Sequence, residues 1–288
     1  MKNSMFYLFL LLFPFAMSAQ ATNDAFEVDI RGTGSPLILI PGLACSGEVW
    51  QATVDSLQQM HTCHTLTLAG FGDQAAMPFD EAYLPQVKNA LKHYIQQELK
   101  EDPVIIGHSL GGFLGLWVAS ELPHEVNSLV IVDAYPFYTQ AINPAATESS
   151  AQPQAKLMQQ MMLTTPDSLF RQQQQMTMNI MLSEPADRLK ALEWSLQSDR
   201  KTVAQAMYEL MTTDLREEVA EVNCPIMVLG SWIAGKDYGI SPSSTFANFE
   251  QQYALADSCT IKIAATARHF IMLDAPEWFH AQLRDFIQ

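Results

Sequence analysis

Gly107-His108-Ser109-Leu110-Gly111 is the stretch of this sequence best suited to chemistry. A serine two residues from a glycine on either side has a hydroxyl that a tight turn can lift clear of the backbone. The residues around it say what kind of turn this is. Val104-Ile105-Ile106 before it is a short apolar run, as in a buried strand, and Phe113 to Leu122 after it is an amphipathic segment, as in a helix. A strand–turn–helix of this kind strains the serine backbone and leaves the hydroxyl at the end of a parallel sheet. The new helix N-terminus beside it supplies free N–H groups and the positive end of a dipole, where an oxyanion would be stabilised. A neutral serine hydroxyl is a poor nucleophile, however. It needs an adjacent base, and that base needs a carboxylate to orient it.

The strand–Gly-x-Ser-x-Gly–helix stretch resembles the nucleophile elbow of the α/β-hydrolase family. The resemblance runs from the first strand to the last helix. It implies an α/β fold, with a mostly parallel central sheet, helices on both faces and an inserted helical cap. In that family the chain order is Ser, then acid, then His, with the His after the last strand. His269 directly follows the strand at Cys259 to Ala264 and is assigned as the base. Asp237 follows the strand at Pro225 to Gly230, where the family most often carries its acid, and is the first choice for that role. Asp133, at the end of the strand beginning at Ser128, is the alternative acid, the location that other members use. Pro41-Gly42-Leu43 resembles the loop that supplies the first oxyanion donor, so the donors are assigned to the backbone N–H groups of Leu43 and Leu110. The family's usual His-Gly is Pro-Gly here, which matters little to a backbone donor. Ala69-Gly70-Phe71-Gly72-Asp73 resembles the family's glycine-rich loop but has Ala69 where an Asp is customary; Phe71 is read as either a pocket wall or a packing residue.

Other histidines are read as structural or solvated. His61 and His64 precede a strand, His93 lies off an apolar stripe, and His124 and His280 follow or lie within helices. His108 adjoins Ser109, but alternation along a strand should point its ring away.

The elements that must hold these groups are legible from periodicity. Ala25 to Ile30, Leu37 to Ile40, Thr65 to Leu68 and Ser128 to Val132 read as strands, the continuous apolar runs among them as buried parallel ones. Helical spacing marks the segment after Ser46, its N-cap, and the stripe Leu84, Val87, Leu91, Ile95 and Leu99. From about residue 135 to 222 the strand pattern gives way to Gln-, Met- and Leu-rich helical segments, and the α/β rhythm then returns. The expected division is a hydrolase core of 22–134 and 223–288 with a cap at 135–222. Eight methionines concentrate in the cap, most of them read as helix–helix packing.

Lys2 followed by the apolar run Met5 to Phe15 and by Ala19-Gln20-Ala21 fits a cleaved secretory signal over residues 1–21, and hence an exported, periplasmic or secreted protein without stable membrane insertion. The formal net charge of −15 repels phosphate backbones and argues against nucleic-acid partners. No Cys-x-x-Cys or His cluster has metal-ligand spacing, and no cofactor is expected. The resemblance makes the strands beginning at Cys224 and Cys259 neighbours, which leaves a disulfide between them open.

Together these readings imply a serine hydrolase cleaving carboxylic esters of fairly apolar small molecules through an acyl-enzyme. Thioesterase, lactonase and acyltransferase chemistry on the same residues, or a non-catalytic ligand-binding module, stay open, since fold alone does not separate them.

Overall fold

The computed structural model describes residues 24–80 and 82–287. The expected signal segment, 1–21, lies outside the described residues. Seven strands form one sheet: β1 (Phe26–Gly32), β2 (Ser35–Ile40), β3 (His61–Leu68), β4 (Val104–His108), β5 (Ser128–Val132), β6 (Ile226–Gly230) and β7 (Cys259–Ile263). Their spatial order is β1-β3-β2-β4-β5-β6-β7. β1 runs antiparallel to β3, and the other pairs are parallel. The apolar runs explain the middle of the sheet. All residues of β4, β5 and β6 are buried, as strands covered by helices on both faces must be.

Helices α1 (Gln51–Leu57), α2 (Leu84–Glu98) and α3 (Leu110–Glu121) belong to the first half of the core, and α9 (Pro242–Gln252), α10 (Ile271–Asp274) and α11 (Pro276–Phe286) to the second. Ser46 caps a short 3-10 turn, Gly47–Trp50, that leads into α1. Between β5 and β6 the chain is helical: α4 (Tyr138–Ile142), α5 (Glu148–Thr164), α6 (Asp167–Met181), α7 (Pro185–Gln197) and α8 (Arg200–Thr212). These helices form the cap.

The cap is stitched to the core at buried points. Glu209 of α8 accepts the Tyr83 and Leu84 N–H groups at 2.8 and 2.6 Å, filling the role of an N-cap for α2. The glycine-rich loop after β3 meets the start of α8, with the Asp199 N–H on the Gly70 carbonyl at 2.8 Å and the Gly72 N–H on the Ser198 hydroxyl at 2.9 Å. Phe71 is fully buried against Tyr83 and is a packing residue. Of the cap methionines, Met178 and Met211 are buried while Met161 and Met176 are more than half exposed. The four cysteines are free: β6 and β7 are neighbours as expected, but Cys224 and Cys259 are not bridged.

Candidate active site

The turn after β4 is as sharp as its glycines imply. Ser109 has φ 52° and ψ −119°, in a region that a side chain enters only when its surroundings hold it there. A Cβ on Gly111 would stand 2.2 Å from the Ile40 carbonyl oxygen, and one on Gly107 would stand 2.2 Å from the Gly111 oxygen. Only glycines let α3 begin this close to β4 and β2. The Ser109 N–H donates to the Val132 carbonyl of β5 at 2.8 Å, and α3 starts at Leu110.

The register of β4 on β5 pairs His108 with Val132, so Ser109 and Asp133 come next, side by side beyond the ends of adjacent strands. Asp133 also has a positive φ, 51°, and its N–H donates to the Leu229 carbonyl of β6 at 2.8 Å. The turned backbone brings its carboxylate to His269. His269 Nδ1 donates to Asp133 Oδ2 at 2.8 Å. The same carboxylate accepts the Ser231 N–H at Oδ1 and the Ser231 hydroxyl at Oδ2, both at 2.7 Å. Both partners are largely covered, with side-chain exposures of 22% for His269 and 11% for Asp133. An ionised carboxylate only accepts hydrogen bonds, so the neutral imidazole keeps its proton on Nδ1 and leaves Nε2 as a lone pair.

The carboxylate that the fold brings to His269 is thus that of Asp133, the alternative acid, and not that of Asp237, the first choice. Asp237 lies in the 3-10 turn Ile233–Tyr238, exposed to solvent and without a bond to His269 among the described residues. The reason is the path of the chain after β6. Ser231 is drawn onto Asp133, and the turn that follows carries Asp237 outward. The sequence reading missed Ser231; its one signal is a hydroxyl residue directly after a buried strand beside a strand that ends in Asp.

His108 lies against the segment that carries His269. Its ring lies 4.6 Å from those of both His269 and Phe270, and its Nε2 donates to the His269 carbonyl at 3.1 Å. Alternation holds: His108 continues the face of β4 that carries Val104 and Ile106, and the segment after His269 packs on that face. Burial, together with the nearby His269, pushes its pKa well below the ordinary histidine value, so the ring is uncharged. With Nε2 donating, Nδ1 is a bare acceptor, and it is buried without a partner. The remaining buried histidines are structural: His61 bonds Ser35 at 3.0 Å and His64 bonds the Tyr94 hydroxyl at 2.7 Å.

On the other side of Ser109, the loop after β2 turns through Ala44 at φ 56°, with the Cys45 N–H on the Gly42 carbonyl. Neither the Leu43 nor the Leu110 N–H has a hydrogen-bond partner among the described residues. No group of three or more metal-ligating side chains occurs among the described residues.

With this geometry in view, the relatives are informative. The family model of the alpha/beta hydrolase fold matches residues 35–237, and the chain belongs to that family. It is 25% identical over 235 residues to a pimeloyl-acyl-carrier-protein methyl ester esterase of Nitrosomonas europaea, a match spanning 79% of this chain and 86% of that protein. An Aliivibrio fischeri protein of the same name is 25% identical over 270 residues, 89% of this chain and 95% of its own. Among solved structures, an esterase from Exiguobacterium antarcticum shares the fold with a TM-score of 0.75 at 16% identity, covering 92% of this chain and 97% of that one.

Proposed function

We propose that the protein is a serine hydrolase of carboxylic esters. Ser109 attacks the ester carbonyl, and His269 Nε2 takes the hydroxyl proton and then delivers it to the leaving alcohol. Asp133 holds the Nδ1 proton, fixing the tautomer and stabilising the imidazolium formed during attack. The Leu43 and Leu110 N–H groups receive the developing oxyanion. Water activated by His269 then releases the acid from the acyl-enzyme.

The observation that carries this reading is the Asp133–His269 hydrogen bond at 2.8 Å, set at the strand ends beside a serine held at φ 52°. A pure binder has no use for an oriented imidazole or a strained serine. The esterase names of the relatives support ester cleavage over other reactions of the fold. The methionine-rich composition of the cap supports a fairly apolar small-molecule substrate, since an unbranched thioether adapts to varied apolar groups. The Met5 to Phe15 run followed by Ala19-Gln20-Ala21 supports export to the periplasm or beyond.

A screen of acyl esters, thioesters and lactones, run beside Ser109→Ala, tests the proposal. Turnover of apolar acyl esters that vanishes in Ser109→Ala is expected. Preference for charged or sugar-like groups would overturn the substrate class, and an active Ser109→Ala would overturn the mechanism.

A further inference from the structure

The loop that carries His269 is tied to the cap by a second carboxylate. Asp274, at the end of α10, accepts the Ser183 N–H at Oδ1 and the Ser183 hydroxyl at Oδ2, each at 2.9 Å. The same Oδ2 accepts the N–H of Arg268, the residue before His269, also at 2.9 Å. Ser183 lies just beyond the C-terminus of cap helix α6. One oxygen atom therefore joins the cap to the neighbour of the candidate base.

Other bonds run the same way. The Arg268 guanidinium donates from one nitrogen to the carbonyls of Asn179 and Ile180, both at 2.9 Å. Those carbonyls belong to the last turn of α6, where helix geometry leaves acceptors unpaired and the dipole favours a cation. The Phe270 N–H reaches the Met181 carbonyl at 3.4 Å. On the cap side the segment is stiffened by Arg188, which donates to the Leu182 and Ser183 carbonyls at 2.8 and 2.6 Å, and by Leu182, which is fully buried. Residues 268 and 270 are thus both bonded to the end of α6, and the residue between them presents its ring to Asp133.

We propose that Asp274 is a positioning residue that, through Ser183, makes the alignment of His269 depend on the seating of cap helix α6. The inference rests on the reading of His269 as the base. A carboxylate is required because three N–H and O–H donors converge on its two oxygens. An amide keeps one accepting oxygen and turns a donor toward the others. Displacement of a catalytic group by about 1 Å costs up to about a hundredfold in rate, so a loosened strap is felt in kcat while substrate contacts stay in place.

The test compares the full-length wild type with Ser183→Ala, Ser183→Thr and Asp274→Asn by ester kinetics and by amide hydrogen exchange at residues 268–270. Melting curves confirm that each variant folds. Ser183→Ala is expected to exchange faster at Arg268, although the substitution is on the cap, and to lower kcat with KM little changed. Ser183→Thr keeps the hydroxyl and is expected to restore both. Asp274→Asn is expected to lower kcat roughly tenfold to a hundredfold. Wild-type exchange and kcat in Ser183→Ala would overturn the strap, as would an Asp274→Asn in which only KM rises. Faster exchange in Ser183→Ala, in a protein whose wild type cleaves no ester, would support the strap and overturn the reading of His269 as a base.

Discussion

Asp133 Oδ2 accepts the His269 Nδ1–H at 2.8 Å while the same carboxylate holds both donors of Ser231. The backbone N–H of Ser231 is directed at Oδ1 and its hydroxyl at Oδ2, so the carboxylate cannot swing away from the imidazole without leaving a donor unpaired.

Asp133→Asn is therefore expected to fail in a defined way. An amide cannot accept from both the Ser231 N–H and the His269 Nδ1–H; one of them meets an NH2 group. Either the ring adopts the wrong tautomer or the loop after β6 shifts. Ester turnover is expected to fall by about a thousandfold to ten-thousandfold. Asp237→Asn, on the exposed turn, is expected to keep wild-type kcat and KM. Steady-state kinetics of the two variants side by side checks this, and the reverse pattern would return the acid to Asp237.

His108 Nε2 donates to the His269 carbonyl at 3.1 Å. His108→Phe keeps the ring volume against Phe270 but removes the donor, and kcat is expected to fall about tenfold with little change in melting temperature. His108→Gln retains a donor and is expected to recover part of the loss. Equal kcat in both variants would show that the contact is packing alone.

Burial against Tyr94 pushes His64 down to about 4. An unfolded histidine titrates near 6.5. Between these values the unfolded chain binds a proton that the native state refuses, so this contribution to stability is complete above about pH 6.5 and is lost as the pH falls toward 4. After allowing for residual solvent contact, the loss is on the order of 2 kcal/mol. His108 and His280 are lowered as well and add to the slope with the same sign. Denaturant melts of wild type and His64→Gln at pH 7.5 and 5 are expected to show a shallower acid loss in the variant.

The residues that made the fold legible were the ones with a single physical option. Leu37 to Ile40, Val104 to Ile106 and Ser128 to Val132 are apolar runs too short for helices, and the sheet places all of them in its buried middle. Gly107 and Gly111 mark a close approach that only glycine permits, so the elbow could be read directly. The acid could not. Asp133 and Asp237 both follow buried strands, and the choice depends on a positive φ at Asp133 and on the Ser231 donors, neither of which local pattern encodes. The contact of His108 with the His269 carbonyl spans 161 residues, so alternation along β4 gives the face of its ring but not what packs there. The contact between Asp274 and Ser183 spans 91 residues and leaves no periodic trace.

The central claim is that Ser109 is an activated nucleophile, and covalent labelling reads it most directly. Folded wild-type protein treated with a fluorophosphonate is expected to gain one phosphonyl adduct, mapped by peptide mass spectrometry to Ser109, while Ser109→Ala and His269→Ala gain none. An unlabelled Ser109 in folded wild type, or labelling that persists in His269→Ala at the wild-type rate, would contradict the account.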